Sequence, residues 1–303
     1  MSQPLKPVVG FAGVGAMGSP MIGHLLAAGY PVRVFARRPE AASELVARGA
    51  VFAPTAAQAA QGVRVFCTNV TRTEDVEQVL FGETGAALSL EPGSTVIDFS
   101  TISAVATREF ADRLSRQQVR MLDCPVSGGE KGAREATLSI MVGGDESILE
   151  ELRPILQCLG RVITHIGGNG DGQVAKACNQ IVQVINIQGI AEAMLFAKRN
   201  GANVDRVLSA LQSGFAGSRM LDLMGPKMVA RDFAAGIEAR LHQKDFALVI
   251  AMTQALGLSM PAAAVTSQQL NALVGQGWGK DDTSSLLRVL ESLNGLPPPD
   301  EAR

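Results

Sequence analysis

With 303 residues and 47% hydrophobic content, the chain is long enough for two domains, each with a sizeable core. A formal net charge of -2 excludes a bulk positive field for nucleic acid or an anionic membrane surface. Only 18% of residues are charged, which points to large buried interfaces within the chain or between copies of it. Cys67, Cys124, Cys158 and Cys178, with His24, His165 and His242, show neither disulfide pairing nor metal-ligand spacing, so no metal is expected. The N-terminus is short and polar. No signal peptide and no apolar run of transmembrane length is read, which leads to the expectation of a cytoplasmic protein.

Residues 8–12 read as a strand, 16–28 as a helix that Gly29 ends, 32–36 as a strand and 39–48 as a helix. Further strands are predicted at 63–68, 95–98, 119–123, 139–142 and 162–165, separated by helices at 74–80, 104–116 and 146–159. This alternation implies a parallel sheet with helical cover over residues 1–168. After Gly168 no convincing strand follows. A helix from Gly172 to about Lys198, roughly 40 Å long, opens an all-α region over 169–303. Helices at 204–212, 238–256, 262–275 and 283–293 follow, and the proline-rich 296–299 segment reads as a frayed tail.

The segment Gly13-Val14-Gly15-Ala16-Met17-Gly18 follows a strand and opens a helix, the context of a dinucleotide fingerprint. Gly13 permits the tight turn, Gly15 lets backbone approach a pyrophosphate, and Gly18 lets the helix pack on the sheet. The second strand ends in Ala36-Arg37-Arg38, with no acid before Glu40. Two guanidiniums suit a 2′-phosphate, so NADP is expected over NAD. Where a later strand ends, Asp123-Cys124-Pro125-Val126-Ser127-Gly128-Gly129 offers a hydroxyl and two glycine N–H groups to a small carboxylate, though an ordinary polar turn would look the same. Asp98-Phe99-Ser100-Thr101 ends another strand and is a candidate to border a nicotinamide.

Lys176 is the only charged side chain between Asp171 and Glu192. Lys176, Asn179, Gln180, Gln183 and Asn186 share one helical face that carries carboxamides instead of the usual mixture of Glu, Lys and Arg. A half-buried lysine on such a face suits proton transfer near neutral pH, although a lysine that packs its stem and reaches water would show the same letters.

Jointly and in this order, the motifs at 13–18, 123–129 and 170–179, with Lys244-Asp245 and Asp282-Thr283-Ser284, resemble the β-hydroxyacid dehydrogenase family. The resemblance runs from Val8 to about Leu293, with Cys124 standing where the family usually has Ala. It implies an N-terminal Rossmann domain and an all-α C-terminal domain joined by a long interdomain helix. It also implies that Ser127, Gly128 and Gly129 bind a substrate carboxylate and that Lys176 is the catalytic acid or base. Asn179 and Gln180 would orient substrate, with Thr101 and Lys244 near the nicotinamide. Gly214-Phe215-Ala216-Gly217-Ser218, Leu221 and 241–245 resemble the tartronate semialdehyde reductase branch. There Gln180 and Ser218 would bond the substrate's extra hydroxyl. The expected reaction is NADPH-dependent reduction of a small β-oxo acid by a homodimer or homotetramer, with no nucleic-acid or membrane partner. The alternatives are 3-hydroxyisobutyrate, succinic semialdehyde or β-hydroxy amino acid dehydrogenases, and a scaffold that binds NADP without turnover.

Overall fold

A computed structural model describes residues 6–296; the polar start and the proline-rich end of the chain lie outside the described residues. By contact the chain divides into two compact units, Met1–Lys176 and Ala177–Arg303.

The first unit opens with β1 (Val9–Ala12), α1 (Gly18–Ala27), β2 (Val32–Phe35), α2 (Ser43–Ala47), β3 (Val51–Phe52) and α3 (Ala56–Ala60). It continues with β4 (Val65–Thr68), α4 (Thr73–Phe81), β5 (Thr95–Asp98), α5 (Ala104–Ser115) and β6 (Arg120–Asp123). Strands β1, β4 and β5 are buried along their whole length, as central strands covered on both faces must be. The sheet runs β3-β2-β1-β4-β5-β6, all parallel. The order reverses between β1 and β4, and ligands bind beyond the carboxyl ends of strands at such a point. Met21, Ile22 and Leu25 of α1 pack on one face of the sheet with Leu45 of α2. Ala59 of α3, Leu80 of α4 and Phe110 of α5 cover the other face.

The expected parallel order ends at β6. The chain turns through β7 (Val126–Ser127) and the six-residue α6 (Gly129–Arg134) into β8 (Leu138–Gly143), which runs antiparallel to β6 and β7. A parallel return needs a full crossover, and the stretch from β7 to β8, residues 128–137 with one six-residue helix, is too short to supply one. After α7 (Glu146–Leu156), β9 (Gly160–Gly167) pairs parallel to β8.

Helix α8 (Asp171–Arg199) has 29 residues. By length and composition it is apolar enough to cross a membrane, a property the sequence reading did not credit. Half of its most apolar window is buried inside the protein, as in a core helix. Its first turns belong to the first unit, because residues 170–176 hydrogen-bond back to strand ends.

The second unit packs Ile187, Ala191 and Met194 of α8 against α9 (Val204–Gln212), α10 (Arg219–Ala230), α11 (Ala239–Ala255), α12 (Pro261–Gly275) and α13 (Leu286–Leu293). Helix α10 is not among the helices expected from the sequence, and it carries Gly225-Pro226 in its interior. Gly225 lets α9 pack closely: a Cβ there would lie 2.4 Å from the end of the Leu208 side chain, which would have to shift.

Candidate active site

The three fingerprint glycines do three different jobs. Gly13 has φ +105°, and a Cβ on it would lie 2.1 Å from the Asn69 carbonyl oxygen. A Cβ on Gly18 would lie 2.0 Å from the Gly13 carbonyl oxygen, so α1 can start here only with glycine. A Cβ on Gly15 would meet nothing within 4 Å, which leaves room for a ligand to reach the backbone. No side chain caps the start of α1 after Met17, and Ser19 turns its hydroxyl to the Val14 carbonyl. A cradle of backbone N–H groups beside an open glycine fits a pyrophosphate. Val14, Gly15 and Ala16 also border a cavity of about 480 Å³ that extends along α1 to His24, Arg48 and Arg134.

Arg37 and Arg38 follow β2 and are exposed; Arg37 pairs with Asp75 at 3.4 Å. Both therefore sit at the strand end where sequence reasoning put the ribose site.

At the end of β5, Asp98 is fully buried. Its Oδ1 accepts from Thr68 Oγ1 at 2.7 Å and from the Ser100 N–H at 2.9 Å. Burial raises its pKa to about 6, against those hydrogen bonds, which lower it. Ser100 Oγ accepts from the Val70 N–H, so the loops after β4 and β5 are tied together beside half-buried Thr101. Asp98 thus builds the loop that carries Thr101.

Ser127 ends β7, and Gly128 and Gly129 follow with φ +136° and +62°. Both values lie where glycine is favoured, and the turn presents successive backbone N–H groups. Lys176 is 8% exposed, and its Nζ donates to the Val126 carbonyl at 2.8 Å. The structure thereby brings Lys176 to the residue preceding Ser127. Cys124 is fully buried in the core, and burial pushes its thiol pKa well up, which suits an inert packing residue.

The second unit holds the remaining expected residues. Asn179 Nδ2 donates to Gln180 Oε1 at 2.8 Å and to Gln183 Oε1 at 3.1 Å. Gln180 is 3% exposed and donates through Nε2 to Asp245 Oδ2 at 2.6 Å. Lys244 pairs with the other oxygen of Asp245 at 2.8 Å. Both ends of the Gln180 amide are thus engaged by protein. Ser218 caps α10 through the Leu221 N–H and donates to Asn186 Oδ1 at 3.1 Å. Asp282 caps the turn at Thr283–Ser285. Sequence reasoning missed Asp245 as a hub, and it missed Asp123 and Gln173. Each has partners far away in sequence or on the backbone.

Residues 8–167 match the family model of the NAD binding domain of 6-phosphogluconate dehydrogenase, and residues 170–290 match that of NAD-binding of NADP-dependent 3-hydroxyisobutyrate dehydrogenase. The chain belongs to the β-hydroxyacid dehydrogenase family. It is 43% identical to 2-hydroxy-3-oxopropionate reductase of Escherichia coli K12, over 93% of this chain and 97% of that protein. A solved Mycobacterium tuberculosis 3-hydroxyisobutyrate dehydrogenase with L-serine is 31% identical, with a TM-score of 0.88 over 94% of this chain and 99% of that one. A further structure, in complex with NADP+ and 2-OPP, is 25% identical with a TM-score of 0.85, over 93% and 99% of the two chains. This β-hydroxyacid dehydrogenase is accordingly an NAD(P)-dependent oxidoreductase with an N-terminal Rossmann domain and a helical C-terminal region.

Proposed function

We propose that the protein reduces a small β-oxo acid with NADPH, tartronate semialdehyde to glycerate being the first candidate, and that Lys176 is the general acid. The observation that carries this reading is the 2.8 Å bond from Lys176 Nζ to the Val126 carbonyl, one residue before the Ser127–Gly129 turn. Ser127, Gly128 and Gly129 hold the substrate carboxylate and fix the aldehyde, a positioning effect. When bound, the reduced nicotinamide supplies the hydride that goes to the aldehyde carbon. Lys176 delivers a proton to the carbonyl oxygen as its charge develops, and in the oxidation direction takes it back. Such a proton donor typically contributes about 10²–10⁴-fold. Arg37 and Arg38 support the choice of NADPH, as guanidiniums grip phosphate oxygens in pairs.

The 43% identity to 2-hydroxy-3-oxopropionate reductase supports this substrate. The L-serine in the Mycobacterium tuberculosis relative favours a second reading, oxidation of a β-hydroxy amino acid or 3-hydroxyisobutyrate. The deciding experiment is a panel of tartronate semialdehyde, succinic semialdehyde, 3-hydroxyisobutyrate and L-serine, each with both nicotinamide cofactors. The highest kcat/KM with tartronate semialdehyde and NADPH is expected. A clear preference for NADH or for serine would overturn the respective part of the reading.

We also place the protein in the cytoplasm as a homodimer or homotetramer, without nucleic-acid or membrane partners. The exposed Val182, Phe196 and Phe215 support self-association, which light scattering would test.

A further inference from the structure

We propose that Asp123, with Gln173, is a positioning residue that latches the start of α8 and so sets where Lys176 delivers its proton. The inference rests on the proton-donor reading of Lys176. Asp123 is the last residue of β6 and is fully buried. Its Oδ1 accepts from the Gly170 N–H at 2.8 Å and its Oδ2 from the Gln173 N–H at 3.0 Å. The first N–H groups of a helix have no partner within it, and a carboxylate there also meets the positive end of the helix dipole. Gln173 in turn clamps β5's loop: Nε2 donates to the Ser100 carbonyl at 2.8 Å, and Oε1 accepts from the Ile102 N–H at 3.1 Å.

The fit around this carboxylate is close. A Cβ on Gly143 would lie 2.6 Å from Asp123 Oδ1, and one on Gly172 would lie 2.7 Å from both its Oδ2 and its backbone oxygen. Gly170, just before α8, and Gln173 in its first turn give their N–H groups to Asp123, and the Lys176 side chain, three residues on from Gln173, bonds to Val126. The same strand end continues into Ser127–Gly129. The proton donor and the carboxylate clamp therefore take their positions from one piece of backbone. The neighbouring charges are Asp98, the register partner of Asp123 on β5, and Asp171, which Arg108 pairs at 3.1 Å. Neither replaces the two bonds that Asp123 accepts.

The test is a double-mutant cycle of Asp123→Asn with Lys176→Ala, read by kcat, by KM for the carboxylate substrate and by NADPH affinity. The asparagine amide turns a donor toward a backbone N–H, so α8 must shift. A misplacement of about 1 Å costs on the order of 100-fold. The expected result is a roughly 10- to 100-fold loss of kcat, with KM and NADPH affinity within about twofold. In the Lys176→Ala background Asp123→Asn should add nothing, because residues acting as one unit are not additive. Gln173→Glu, which keeps the acceptor for Ile102 and loses the donor to Ser100, should lower kcat by a smaller factor with the same split. It carries the cycle if Asp123→Asn does not fold. Unchanged kcat in the latch variants beside an inactive Lys176→Ala would overturn the latch alone, as would an equal further loss in the Lys176→Ala background. Near-normal turnover of Lys176→Ala by itself would overturn the proton-donor reading and the latch with it.

Discussion

Two polar constellations in this molecule are built in opposite ways. Around the start of α8, side chains bond to backbone: Asp123 to the N–H groups of Gly170 and Gln173, Gln173 to Ser100 and Ile102, Lys176 to Val126. Further along, the cluster of Asn179, Gln180, Gln183, Lys244 and Asp245 bonds side chain to side chain. A backbone partner cannot be exchanged by mutation, whereas a side-chain partner can. On the proton-donor reading of Lys176, the first arrangement holds the group that reacts. The second allows the pattern to drift.

The largest expected effect falls in the backbone-held region. Lys176→Ala should lower kcat by about 10²–10⁴ while the NADPH dissociation constant stays within about twofold, measured by fluorescence titration and stopped-flow turnover. The glycines sharpen the same point. Gly18→Ala places a methyl 2.0 Å from the Gly13 carbonyl and should lose both stability and cofactor binding. Gly15→Ala meets no protein atom within 4 Å, so it should leave the urea midpoint nearly unchanged and weaken NADPH binding alone. Equal effects of the two variants would contradict the division of labour in the fingerprint.

The side-chain cluster predicts a milder response. Gln180→Leu removes the donor to Asp245 Oδ2 in a buried setting and should cost about 1–3 kcal/mol in urea unfolding. A loss in kcat as large as that of Lys176→Ala would erase the contrast between the regions. Exposed Arg37 and Arg38 should give less again. Their replacement by Ala should raise KM for NADPH about tenfold, with little change for NADH and with an effect that shrinks as salt rises.

A further expected effect is a pH dependence at Asp98. Burial raises its folded pKa to about 6, above the ordinary carboxylate value of 3.8, so the folded state binds the proton more tightly. Its contribution is therefore fully present below about pH 4 and is lost as pH rises through about 6. Among the described residues no donor reaches Asp98 Oδ2, and the bonds to Thr68 and Ser100 both fall on Oδ1. Asp98→Asn keeps those acceptor contacts and should flatten the stability profile between pH 4 and 7, with a gain at pH 8. A profile identical to that of the unmodified protein would refute this.

Much of this was legible in the letters. Gly13–Gly18 declared a backbone geometry because only glycine tolerates it, and Lys176 stood out as a lone charge among amides. The latch was not legible. Asp123 looks like any acid at a strand end, and its partners are N–H groups about fifty positions away that carry no residue signature. Strand direction escaped for a similar reason: period-two burial in β8 is the same whether it runs parallel or antiparallel to β6. The partner of Gln180 was not legible either, because its bond to Asp245 depends on another helix.

The glycines that wall in Asp123 bear on protein engineering. The recess around that carboxylate is made of main chain at Gly143 and Gly172, with no room for a methyl group on either side. Libraries that vary side chains elsewhere can reshape what the enzyme recognises, but this recess offers them nothing to vary. It is a fixed reference point, and evolvable positions should be sought along α8 beyond Lys176.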